Sequence, residues 1–258
     1  KALALNFNRV QFTPDVVPSD ITGYSIYNKA NGKFEYRAGA AMCNILLADE
    51  INRTSSKTQS ALLEVMQEGN ITVDGKTRKV PEPFLVVATQ NPIGTAGTQM
   101  LPEAQLDRFM AQLSIGYPGK EAEMKILMDR KNEDPMDKVI NIVNRENLVE
   151  MKNKVKEVFV HEKMYEYITD LVRGTRENEL IKMGISPRGA ISICAMGQAW
   201  AFMHGRNYVI PQDIRDIFFD AVCHRILISP KAHAQGKSIY EILSELVADT
   251  KIPGVTKE

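Results

Sequence analysis

The stretch that most restricts the fold is Ile45-Leu46-Leu47-Ala48-Asp49-Glu50, an apolar run closed by two adjacent carboxylates. Residues 44–48 read as a buried strand, and the acids mark where it emerges at a sheet edge. Burying such a pair is costly unless something positive sits beside it. For a strand-end aspartate the commonest such partner is magnesium carrying a nucleotide phosphate, with the next residue, a glutamate, placed to polarise a water. Apolar strands also end in solvated acids, so the pair by itself does not decide between the two.

The surrounding pattern places this strand in an α/β layer. Residues 9–12 and 84–89 are further candidate strands, and alternation with helical patterns predicts a parallel sheet. Between the last two strands a helix is expected over residues 55–68, with Leu62, Leu63, Val65 and Met66 on one face and Gly69 as its stop. Asp74-Gly75, flanked by short β-prone segments, predicts a hairpin over residues 71–80. A second two-stranded insertion is expected over 26–36, turning at Asn31-Gly32. After Pro118-Gly119 the periodicity becomes helical. Met164, Ile168, Leu171 and Val172 form one stripe. Ser186-Pro187 reads as a cap followed by a first-turn proline. Ile214, Ile217, Phe218, Val222 and Ile226 form the stripe of a helix starting near Pro211. The chain thus divides into residues 1–117, an α/β core, and 118–258, a helical domain.

Composition removes several classes. Lysine plus arginine equals aspartate plus glutamate at 32 each, so the formal net charge is zero, which argues against a dedicated nucleic-acid binder. The three widely spaced cysteines, Cys43, Cys194 and Cys223, form no C-x-x-C pair and predict reduced, mostly buried thiols of a cytoplasmic protein. The longest apolar region, residues 190–203, is broken by Gly197 and Gln198 and is too short to span a bilayer. There is no H-E-x-x-H, no G-x-S-x-G and no histidine pair at metal-ligand spacing. Gly75-Lys76-Thr77 imitates the end of a phosphate-binding G-x-x-x-x-G-K-S/T loop. The spacing back to Gly69 is one residue too long, a helix precedes it, and Pro81 and Pro83 follow where a helix should begin.

Three further residues bear on the acidic pair. Asn91 follows the 84–89 strand, and parallel strands end at one sheet edge, so it is expected beside Asp49 and Glu50, where an amide can orient a water or a phosphate oxygen. Taken alone it is also an ordinary turn asparagine before Pro92. Arg108, in Leu106-Asp107-Arg108-Phe109, carries a guanidinium suited to phosphate, or else makes a surface ion pair with Glu103 or Asp107. Arg188 sits in the first turn of the Ser186-Pro187 helix, where a cation opposes the helix dipole unless an anion is near. A solvated arginine with a small penalty is the alternative.

Taken together, several segments resemble the MoxR family of AAA+ ATPases. They are Asp20-Ile21-Thr22-Gly23, the run L-L-A-D-E-I-N-R over residues 46–53, Q-S-A-L-L-E-V-M over 59–66, A-T-Q-N-P over 88–92 and L-P-E-A-Q-L-D-R-F over 101–109. The resemblance runs from about residue 10 to 117 and continues more weakly through Ser186-Pro187-Arg188. It implies an AAA+ parallel sheet with helices on both faces, followed by an all-α lid. It also implies that Asp49 holds Mg2+ through water, that Glu50 is the catalytic glutamate, and that Asn91 is sensor 1. Arg108 would be the arginine finger and Arg188 sensor 2, with ATP as the nucleotide. The insertion at 26–36 and the hairpin at 71–80 match elements of that family. Members are typically hexameric ring chaperones that act with von Willebrand factor A-domain proteins on a client. Ala40, where the family often has proline, and Gly94, where an acid is common, depart from the pattern without touching this chemistry. Residues 1–5 resemble the tail of the helix after the P-loop, so the P-loop and the strand feeding it are expected upstream of Lys1.

The expectation is therefore an ATP hydrolase that remodels partner proteins. These residues alone, without a P-loop, are expected to be inactive. Two alternatives stay open: a non-hydrolysing assembly or adaptor module, and a nucleic-acid motor built on the same core, for which Lys76, Arg78 and Lys79 leave some room.

Overall fold

The computed structural model describes residues 1–90, 100–129 and 135–254. In chain order the first elements are β1 (Phe7–Gln11), α1 (Pro18–Thr22), β2 (Tyr24–Asn28), β3 (Lys33–Arg37), β4 (Ile45–Asp49), α2 (Ser56–Glu68), β5 (Asn70–Val73), β6 (Lys76–Lys79) and β7 (Leu85–Ala88). There follow α3 (Glu103–Leu106), α4 (Lys120–Asp129), α5 (Arg145–Lys156), α6 (Glu162–Glu177), β8 (Ile181–Met183), α7 (Pro187–Met203), α8 (Pro211–Val222), β9 (Leu227–Ile228), α9 (Pro230–Ala234) and α10 (Ile239–Asp249). They form two compact units, each built from two stretches of chain: 1–101 with 118–150, and 102–117 with 151–258.

The first unit is organised by a three-stranded parallel sheet in the order β1-β4-β7. The apolar run becomes the central strand: Leu46 and Ala48, on one face, are fully buried, and Ile45 and Leu47, on the other, are half-buried. The expected boundaries shift by one or two residues. The two hairpins form as separate antiparallel pairs. In β5–β6 the two turn residues, Asp74 and Gly75, both have positive φ (51° and 72°), the requirement that Asp-Gly meets at least cost. At the base of β2–β3, Gly23 has φ 84°, and a Cβ there would lie 2.3 Å from the Arg37 carbonyl oxygen, so only glycine lets the two chain segments pass. Helix α2 begins at the expected cap, where the Ser55 hydroxyl accepts from the Thr58 N–H. It ends on Gly69 in the left-handed conformation, with its N–H donating to the Val65 carbonyl. Leu62, Leu63 and Val65 are buried, while Met66 is half-buried.

The second unit is a helical body around Met164, Tyr167, Ile168, Leu171 and Val172 of α6, with Ile193 and Ala201 of α7, Ile214, Ile217, Phe218 and Val222 of α8, and Ile242 and Leu243 of α10. One reading of the sequence is corrected here. Ile226 is buried but lies beyond α8, which ends at Val222 and passes into a 3-10 turn over Cys223–Arg225. The helical body also carries one short antiparallel pair, β8 with β9. That pairing satisfies backbone groups where the chain crosses between helices, a long-range arrangement that leaves no period in the sequence. The cysteines are free, but only Cys43 is buried, with Cys194 and Cys223 half-buried. No described helix is long and apolar enough to cross a membrane.

Candidate functional site

The carboxyl ends of β4 and β7 lie side by side, because the strands run parallel with Ala48 opposite Ala88. The residues that leave this edge are Asp49 and Glu50 from one strand and Thr89 from the other. Thr89 joins them. Its hydroxyl donates to Asp49 Oδ1 at 2.6 Å and accepts from the Glu50 N–H at 2.9 Å, while its carbonyl accepts from the Ile51 N–H at 3.0 Å. Glu50 is held with φ 54° and ψ 47°, a left-handed conformation that an ordinary side chain adopts only when its surroundings impose it. The turn ends the strand and starts the 3-10 turn Ile51–Arg53.

The two acids have collected cations. Arg9, on the neighbouring strand β1, donates to Asp49 Oδ2 through Nε (3.1 Å) and Nη2 (2.5 Å), and Arg53 donates to Glu50 Oε2 at 2.8 Å. The Thr89 hydroxyl, and after it Arg9, hold the Asp49 carboxyl below the usual carboxylate range. Both arginines are substantially exposed, so these are counter-charges at a wet rim rather than a sealed pair. Among the described residues no cluster of three or more His, Cys, Asp or Glu side chains could hold a metal ion unaided. The donor set fits Mg2+ all the same. That ion keeps most of its waters and typically takes only one or two carboxylates together with substrate phosphate. Asn91 lies outside the described residues.

Arg108 and Arg188 belong to the second unit. Arg108 follows the short helix α3 and is exposed. It pairs with neither Glu103 nor Asp107, nor with any other described carboxylate. Asp107 is instead the anion expected near Arg188. It lies 3.6 Å from Arg188 Nη1 and accepts from the Ser186 hydroxyl at 2.9 Å through both oxygens. Ser186 caps α7 as expected, accepting from the Gly189 N–H, and Pro187 takes the first helical position. The Arg188 guanidinium remains about half exposed.

Sequence reasoning missed Thr89 and Arg9. Thr89 was within reach, since it stands in A-T-Q-N-P directly across from Asp49 once the two strands are paired in parallel. Arg9 needed the strand order.

An acidic pair at the carboxyl edge of a parallel sheet, followed by a helical body bearing first-turn and loop arginines, is the layout of an AAA-type ATPase. Residues 1–111 match the model of the ATPase family associated with various cellular activities (AAA), and residues 173–246 match the AAA lid domain. The chain is 44% identical over 253 residues to the uncharacterised protein YeaC of Bacillus subtilis strain 168, covering 98% of this chain and 79% of that protein. It is 39% identical to the chaperone MoxR1 of Mycobacterium tuberculosis, covering 96% and 68%. The crystal structure of a candidate ATPase from Cytophaga hutchinsonii superposes with a TM-score of 0.89 at 38% identity, covering 98% of this chain and 79% of that one. The chain belongs to the MoxR family of AAA+ ATPases.

Proposed function

We propose that the protein hydrolyses ATP and spends the conformational work on remodelling partner proteins. The observation that carries this reading is the hydroxyl-bridged edge, where Thr89 of one strand end fixes both Asp49 and Glu50 of the next. Asp49, kept ionised by that bond, would hold Mg2+ through water. An ion held there would supply neutralisation of the phosphate charge. Glu50 would orient a water and take its proton as it attacks the γ-phosphate, with Asn91 as a second polar anchor for that water. Arg188 would contact the nucleotide of its own subunit, and Arg108, exposed and uncommitted to any described carboxylate, that of a neighbour in a ring.

The family and the name of the Mycobacterium relative support a chaperone role. A hexamer, a von Willebrand factor A-domain partner, a client protein and a cytoplasmic setting complete the reading. A nucleic-acid motor is the weaker alternative. Of the basic residues in the β5–β6 hairpin, Arg78 lies over the Tyr36 ring and donates to backbone carbonyls, and Lys79 pairs with Glu82. Turnover by the full-length protein tests the proposal. Glu50→Gln should retain ATP binding and lose about 10²-fold or more of kcat, the scale of a positioned general base. Unchanged turnover would overturn the assignment.

A further inference from the structure

Arg225 is a charged residue enclosed in the helical unit, its side chain only 1% exposed. A lone guanidinium there would be strongly destabilising, so its partners show what the site is built to hold. All five of its N–H donors are used. Nε donates to the Ala221 carbonyl at 2.9 Å, in the last turn of α8. One Nη2 hydrogen goes to the Ser192 hydroxyl of α7 at 3.2 Å. The other three reach the two residues that flank Arg108. Nη1 donates to the Asp107 carbonyl at 2.6 Å and to the Asp107 carboxylate, and Nη2 donates to the Phe109 carbonyl at 2.5 Å. His224 adds a bond from Nε2 to the same Phe109 carbonyl at 3.0 Å, and burial keeps its imidazole neutral by lowering its pKa.

The backbone on both sides of Arg108 is therefore gripped by one buried fork, while Arg108 itself is exposed and pairs with no described carboxylate. The Asp107 carboxylate in that grip also receives the Ser186 hydroxyl at the cap of α7 and the Arg188 guanidinium. We infer that Arg225 is a positioning residue for the phosphate-directed Arg108. It sets the backbone from which Arg108 is offered to a neighbouring subunit. This rests on the reading of Arg108 given above. Lysine cannot substitute, because three N–H donors diverging from one nitrogen cannot span two carbonyls and a carboxylate in one plane.

Subunit mixing in the full-length protein tests the inference. Arg225→Lys is expected to lower kcat at least tenfold while leaving the subunit's own Asp49–Glu50 edge intact. Mixed with Glu50→Gln subunits, it should regain turnover, because a Glu50-bearing site then meets an intact Arg108 from its neighbour. Random mixing makes about one site in four competent in this way. A purely structural lesion in the lid would leave those mixed sites inactive, so absence of recovery overturns the inference, as does an Arg225→Lys protein with undiminished turnover. If Arg225→Lys does not fold, Arg225→Gln, which buries no charge, takes its place in the same mixture with the same expectation. A parallel mixture of Glu50→Gln with Arg108→Ala separates the two levels. If that control also fails to recover, the role of Arg108 itself falls. If the control recovers and the Arg225 mixture does not, only the positioning role falls.

Discussion

Thr89 shows how much a single hydroxyl can organise. It donates to one acid, accepts from the backbone of the next, and so converts two strand ends into one polar edge. Thr89→Val keeps the shape and removes both bonds. At neutral pH it should destabilise the protein by about 1 kcal/mol, the worth of a hydrogen bond to a partly exposed charged group, as read by a denaturant midpoint. The pH dependence has a definite sign. A carboxyl whose pKa is lowered in the fold contributes stability that is present above its ordinary value, about 3.9, and is lost as pH falls through the folded value. The difference between wild type and Thr89→Val should therefore be full at pH 7 and shrink as the pH drops below about 4. A difference that grows in acid would contradict the role given to Asp49.

At the level of elements, the local chemistry reads well. The cap at Ser55, the left-handed stop at Gly69, the Asp74-Gly75 turn and the Ser186-Pro187 start all form where short-range rules place them, because each depends on residues at most four apart. The misses are long-range. The α8 stripe was extended to Ile226, since a buried residue looks alike inside a helix and just past its end, and the β8–β9 pair joins segments with two helices between them. The helical unit depends on its stripe residues for more than shape. Leu171 is fully buried among α6, α7, α8 and α10, and Leu171→Ala should cost about 2–5 kcal/mol by leaving a cavity. Thermal unfolding followed by circular dichroism would measure it. A change under about 0.5 kcal/mol, the range of surface substitutions, would mean that the packing around α6 is not as described.

For the whole molecule, the proposed chemistry needs a second subunit, because Arg108 is offered outward and has no described carboxylate partner. Nucleotide and assembly should then be linked: a ligand that binds across subunits favours the assembled state by mass action. In sedimentation, full-length Glu50→Gln protein with ATP and Mg2+ should run as a ring, and removal of Mg2+ by a chelator should return it to smaller species. A mass independent of both would oppose the ring. The acidic strand end, the turn glycines, the helix caps and the family motifs were all legible in the linear chain, because each is written in neighbouring residues. Two things were not: the placement of Thr89 and Arg9 around Asp49, and the use of Arg225 to grip both sides of Arg108. Strand order and burial decide those, and both arise only when residues 40 to 118 positions apart are brought within hydrogen-bonding distance.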